Sequence, residues 1–220
     1  IFVSMRMTCL FLFLSLFWVL LPSCENNQNN LTDAGDMNED SSELKYLALG
    51  DSYTNGESVE TNERFPVQLA DSLEQQGFML QPVEIVARTG WTTDELMAGI
   101  KDENPEGPYD LVTLLIGVNN QYRGRDTAVY RVQFTGLLDT AIVLAGNEPQ
   151  RVIVISIPDW GVTPFAAGQD TATIACEIDD FNAINRNVTE NYNIEYVNVT
   201  DISRKAKDDL SLVAEDGLHP

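Results

Sequence analysis

The sequence predicts a three-layer α/β domain, with a five-stranded parallel sheet and helices on both faces. Three observations carry this reading. Five short apolar runs are spaced along residues 44–220, helical repeats lie between them, and two of the runs are apolar at nearly every position. Strands that alternate with helices pair in parallel, and a strand covered on both faces has no solvent side to make polar. Right-handed crossovers then place helices on either face of the sheet.

The first strand falls at residues 45–50 (KYLALG). Phe65, Leu69 and Leu73 follow at four-residue spacing and mark a helix, with Gly77 as its stop. The second strand falls at residues 83–88 (VEIVAR). Thr92-Thr93-Asp94-Glu95 has the spacing of a capping box, so a helix begins there and carries Leu96 and Met97. Residues 110–117 (DLVTLLIG) and 151–157 (RVIVISI) are the two nearly continuous apolar strands. Between them Val132, Leu137, Leu138, Ala141, Ile142 and Leu144 support a long helix that stops at Gly146-Asn147. Ile178, Phe181, Ile184 and Val188 support another, ahead of a fifth strand at residues 194–199 (IEYVNV).

The amino-terminal segment is different material. Arg6 precedes an apolar run of 13 residues, 9–21 (CLFLFLSLFWVLL). A membrane span needs about 20 residues, so the run matches the core of an export signal. It ends in Leu21-Pro22-Ser23-Cys24, which resembles a bacterial lipobox with Cys24 as the acylated mature terminus. Residues 25–43 are polar, acidic and poor in large apolar groups, as expected of a disordered tether that cannot bury enough surface to fold. Three regions follow: a lipoprotein signal at 1–24, a tether at 25–43 and a folded domain at 44–220. Cys176 is the one cysteine of that domain and is expected to be a small buried residue.

Charge narrows the partners. The chain carries 34 acidic residues against 13 basic ones, a formal net charge of −21. A field of that sign repels phosphate backbones, which excludes nucleic acid as a natural partner. The membrane is then reached through a lipid anchor only, on the periplasmic or cell-surface face. Oligomeric state is not legible in the sequence.

In open parallel sheets, function collects beyond the carboxyl ends of the strands. The first strand is followed by Gly50-Asp51-Ser52-Tyr53-Thr54, the second by Thr89-Gly90-Trp91, and the third runs into Gly117-Val118-Asn119-Asn120. Asp216-Gly217-Leu218-His219 lies beyond the fifth. This inventory holds what acyl transfer needs. A hydroxyl is a weak nucleophile until a base takes its proton, and imidazole suits that task. A carboxylate orients the imidazole, and hydrogen-bond donors must meet the oxyanion that forms. His219 is the only histidine in the chain, so a serine activated by imidazole has no other base.

Leu47-Ala48-Leu49-Gly50-Asp51-Ser52-Tyr53-Thr54 resembles the first block of the GDSL, or SGNH, serine hydrolases. That family's four marker residues match Ser52, Gly90, Asn119 and His219, and the resemblance spans residues 45–220. It implies a flavodoxin-like strand order. It also implies Ser52 as nucleophile, Asp216 and His219 as its partners, and an oxyanion hole from the backbone N–H groups of Ser52 and Gly90 and the Asn119 side chain. No cofactor or metal is implied, and a single histidine gives no metal-ligand cluster. The third block departs from the usual Gly-x-Asn-Asp, since Asn120 replaces the second acid and puts a supporting contact in doubt. Family members usually continue into a last helix, so a carboxyl-terminal truncation after Pro220 is expected.

Trp160 and Phe165 follow the fourth strand and either line a substrate pocket or cover the sheet edge; Arg123 is expected to pair with a carboxylate. The implied activity is hydrolysis of a small-molecule or glycan ester, either a lipid-like acyl ester or an acetylated carbohydrate, through an acyl-serine. The alternative is a non-catalytic surface lipoprotein that binds a glycan or lipid in the same cleft, though binding alone has no use for all five groups. A nucleotide-binding domain is disfavoured, because Asp51-Ser52 stands where a glycine-rich turn would sit. Mass spectrometry of the mature amino terminus is expected to find an acylated Cys24. An unmodified terminus at another residue contradicts the lipobox reading.

Overall fold

The computed structural model describes residues 43–220. The expectations for residues 1–42, Cys24 included, lie outside the described residues. Five strands form one sheet: β1 (Tyr46–Gly50), β2 (Glu84–Ala87), β3 (Leu111–Leu115), β4 (Val152–Ile155) and β5 (Glu195–Val197). Their order is β2-β1-β3-β4-β5 and every pairing is parallel. This is the flavodoxin-like arrangement.

The pleat sends alternate residues to opposite faces. Leu47 and Leu49 of β1 join Val112, Leu114 and Val154 in the main core. Three helices supply the other half of that core. They are α3 (Thr93–Glu103) with Leu96 and Ile100, α5 (Thr127–Leu144) with Phe134, Leu137 and Leu138, and α6 (Thr171–Asn191) with Ile178 and Phe181. Tyr46 and Ala48 point the other way, onto Leu69 and Ala70 of α2 (Phe65–Gln75). Every residue of β1 is therefore buried, whereas the edge strands β2 and β5 are short and partly exposed.

Local sequence explains the helix ends. Glu95 accepts the Thr92 backbone N–H at 2.8 Å, which is the capping box anticipated at the start of α3. Asp126 accepts from the N–H groups of Ala128 and Val129 and starts α5, and Asp170 accepts from Thr173 and starts α6. Helices α2 and α5 end just before Gly77 and Gly146.

Two expectations fail, for one physical reason. Cys176 is exposed, not buried. It sits on α6 midway between Ile174 and Ile178, both buried, and so faces the opposite side of the helix. Val132 is 72% exposed because it stands midway between buried Tyr130 and Phe134 on α5. Both residues are apolar but out of phase with the core stripe.

The register matters most for function. Gly50 at the end of β1 pairs with Ala87 of β2 and with Leu115 of β3. The three chains thus leave the sheet level with one another, and their loops emerge side by side. The approach is close at Gly50, where a Cβ would lie 2.5 Å from the Leu115 carbonyl oxygen and would also collide with the Thr54 hydroxyl. On the α2 face, beyond that helix, Leu115 and Ile155 border an apolar hollow of about 430 Å³.

Candidate active site

The loop after β1 begins with Asp51, whose side chain accepts the Tyr53 backbone N–H at 3.1 Å and starts α1 (Ser52–Asn55). Ser52 is the first residue of that turn and is buried. Its hydroxyl lies 2.9 Å from His219 Nε2. His219 Nδ1 lies 2.5 Å from Asp216 Oδ2, and the other carboxylate oxygen accepts the backbone N–H groups of Leu218 and His219 at 2.9 and 3.0 Å. With Nδ1–H donated to Asp216, Nε2 is left to accept from the Ser52 hydroxyl. Tyr53 packs edge-on against the imidazole, with ring centroids 5.3 Å apart, and holds its plane.

Electrostatics keep Asp216 ionised. Desolvation raises it, but hydrogen bonds from the His219 ring and from the backbone of His219 and Leu218, with a further one from Ser58, outweigh that and bring it down to about 2. The carboxylate is therefore charged wherever an imidazolium needs support. The stability it contributes is present above its ordinary value of 3.8 and is lost as pH falls toward 2.

The groups expected from the sequence to form an oxyanion hole line the same cleft as the Ser52 hydroxyl. Asn119 opens from α4 (Val118–Tyr122) and donates one amide hydrogen to the Trp91 carbonyl at 3.0 Å, which leaves its second for the cleft. Gly90 has φ +87, a conformation that glycine adopts without strain. Among the described residues, the backbone N–H groups of Ser52 and Gly90 have no acceptor. Ser52, Gly90, Asn119 and His219 line one cleft of about 170 Å³. Asn120, which stands where the third block usually has an acid, is buried and bonded through both side-chain polar atoms. Its Oδ1 accepts the Thr93 N–H at 3.1 Å and its Nδ2 donates to the Thr93 hydroxyl at 2.8 Å.

Trp160 and Phe165 line the cleft, which resolves the choice between pocket wall and edge cover. Trp160 is buried and donates its indole N–H to Gln121 at 2.8 Å. Phe165 and Tyr122 are exposed, and both pack against the Trp160 ring. Arg123 pairs with Glu95 at 3.2 Å, as its charge led us to expect. Among the described residues no cluster of three or more His, Cys, Asp or Glu side chains is placed to hold a metal ion.

Sequence reasoning missed two parts of the site. Arg123 also donates to the Gly90 carbonyl at 2.6 Å, a contact no local pattern signals. Asp51 is wholly buried beside Ser52, with one oxygen unbonded. Its signal was in plain view, an acid between a strand and the serine, but only the fold reveals its burial.

Comparison with known proteins places this geometry. The family model described as GDSL-like lipase/acylhydrolase matches residues 48–220. Among solved structures, the chain resembles the SGNH-hydrolase family esterase AlinE4, with 20% identity, a TM-score of 0.62, and 81% of this chain and 86% of that one covered. It resembles TesA with 18% identity and a TM-score of 0.60, over 80% of this chain and 89% of the other. The acetyl xylan esterase AlAXEase aligns with 15% identity and a TM-score of 0.63, over 80% and 91% respectively. At these identities the likeness is one of fold. No curated protein matches the sequence.

Burial generates a prediction at Asp51. Desolvation pushes its carboxyl up to about 7, against the backbone N–H groups of Tyr53 and Gly117, which favour the charged form. A carboxyl raised in the fold costs stability as pH climbs from its ordinary 3.8 to about 7. Asp51→Asn, which resembles the neutral acid, is expected to stabilise the protein at pH 8 and to lose that advantage near pH 4. Chemical denaturation at both pH values measures it, and an equal effect at the two contradicts the burial argument.

Proposed function

Because the chain belongs to the GDSL-like lipase/acylhydrolase family and is a serine esterase, we propose that Ser52 carries the acyl group through a covalent intermediate on a small ester. The observation that supports this is the hydrogen-bonded chain Ser52–His219–Asp216, with contacts of 2.9 and 2.5 Å. Ser52 Oγ attacks the ester carbonyl as His219 Nε2 takes its proton. The carbonyl oxygen becomes an oxyanion facing the N–H groups of Ser52 and Gly90 and the free amide hydrogen of Asn119. Collapse breaks the bond to the leaving alcohol, which receives the proton from His219. Water then attacks the acyl-Ser52 with His219 again as base, and the acid leaves.

The substrate is a lipid-like acyl ester or an acetylated carbohydrate. A cleft of about 170 Å³ lies below the range of about 300–1,000 Å³ common for drug-sized ligands and favours a short acyl group. The exposed faces of Tyr122 and Phe165 at its rim suit an apolar or sugar ring on the alcohol side. Acylation at Cys24 would hold the domain at a membrane surface, on the motive of the apolar run that ends there.

A panel of nitrophenyl esters of increasing chain length, with acetylated xylan beside it, measures the substrate range. Ser52→Ala and His219→Ala are each expected to abolish most of the activity, and the double variant to lose little more, since the groups act as a unit. Asn119→Ala removes one oxyanion donor and is expected to lower kcat by about 10²–10³ with little change in KM. Activity that survives Ser52→Ala undiminished contradicts the proposal.

A further inference from the structure

Gly90 presents a mechanical problem. The missing Cβ lets its backbone approach the reacting atoms, but the same freedom lets its flanking peptides rotate away. An oxyanion donor is useful only if it already points at the place where charge develops. Something must therefore remove the rotational freedom that glycine brings.

The surrounding loop is tied at several points. Trp91 N–H donates to the Arg88 carbonyl at 3.1 Å, and Asn119 holds the Trp91 carbonyl. Among the described residues, the group that bonds Gly90 itself is Arg123, whose Nη2 lies 2.6 Å from the Gly90 carbonyl oxygen. The other guanidinium nitrogen, Nη1, sits 3.2 and 3.3 Å from the two carboxylate oxygens of Glu95. Glu95 in turn accepts the Thr92 backbone N–H and hydroxyl, so it anchors both the start of α3 and the arginine. Hydrogen bonds hold Glu95 below its ordinary carboxylate value, first from the Thr92 backbone and then, against an opposing desolvation, from the Thr92 hydroxyl and Arg123. Arg123 caps α4, and its own N–H donates to the Asn119 carbonyl at 3.1 Å. One residue thus joins the two donors of the oxyanion hole that lie outside the nucleophile loop.

We infer that Arg123 is a positioning residue for the oxyanion hole: through the Gly90 carbonyl it fixes the Gly90–Trp91 peptide, and with it the far side of the glycine whose N–H faces the cleft, while Glu95 holds the guanidinium. The inference rests on the acyl-Ser52 reading. A fork of donors in one plane is what this geometry needs, since one arm meets a carbonyl and another a carboxylate. Lysine supplies charge without the fork. The pair is more than a third exposed, so its direct contribution to stability is small.

The test is steady-state kinetics of Arg123→Met and Arg123→Lys on a neutral nitrophenyl ester and on one with a carboxylate in its acyl group. Thermal melting and a Ser52→Ala control accompany each. Loss of a tether to a donor costs less than loss of the donor, so Arg123→Met is expected to lower kcat about tenfold on both esters, with KM within about twofold. Arg123→Lys recovers part of the loss. In an Asn119→Ala background the Arg123→Met effect shrinks, because the hole is already broken. An unchanged kcat overturns the inference. So does a rise in KM confined to the anionic ester, which would make Arg123 a substrate-binding cation. A fall in melting temperature with kcat per folded molecule intact overturns it too, as a purely structural strut. Full activity in the Ser52→Ala control overturns the acyl-Ser52 reading itself, and with it the positioning role that rests on it.

Discussion

The 2.9 Å contact between Ser52 Oγ and His219 Nε2 is the interaction on which the rest depends. It joins residues 167 positions apart, so no local structure can make it. The parallel sheet solves that problem in two stages. It first levels the ends of β1, β2 and β3 through the pairing of Gly50 with Ala87 and Leu115. Ser52, Gly90 and Asn119 then stand at the heads of three adjacent loops. The final segment crosses above them, held by the Phe165 N–H on the Gly217 carbonyl and by the Ala214 N–H on the His219 carbonyl. His219 is thereby delivered to a serine already in place.

Rigidity below the site comes from polar groups buried in pairs. Asn182 on α6 exchanges two hydrogen bonds with the backbone of Ile157, at 2.8 and 3.0 Å, just beyond β4. Tyr196 on β5 donates to Asn185 on the same helix at 2.7 Å. Arg204 meets the buried carboxylate of Asp159 at 2.9 Å, and Asp159 in turn receives the Gly161 N–H beside Trp160. Each of these buried groups finds a partner, as a low-dielectric interior demands. Among the described residues three buried side-chain atoms are left unbonded, Asp51 Oδ2, Thr54 Oγ1 and Arg64 Nε, and the first two lie in the loop that carries Ser52. Strain of that kind gathers at functional sites.

Much of this was legible in the sequence because it is written in local patterns. Apolar runs such as VIVI in β4 mark strands whatever surrounds them. The Thr92–Glu95 spacing marks a helix start. The short motifs around Ser52, Gly90, Asn119 and His219 carried the site, and their shared position after strands carried its location. What sequence hid was phase and depth. Cys176 and Val132 are apolar, but the turn of the helix carries them away from the core. Asp51 stands in the sequence only as an acid between a strand and the serine, and only the packing around it makes it a buried one. Arg123 reads as one more surface cation, and its bond to the Gly90 carbonyl exists only because α4 and the loop after β2 share an edge.

The central claim is that one serine, activated across the sheet edge, carries the acyl group. Its most direct test is to treat the protein with an organophosphate until esterase activity is gone and to map the adduct by mass spectrometry. The account predicts one phosphoryl group per chain, on the peptide that contains Ser52 and on no other serine. Full inactivation with the label elsewhere, or a labelled Ser52 in protein that still hydrolyses esters, would contradict it.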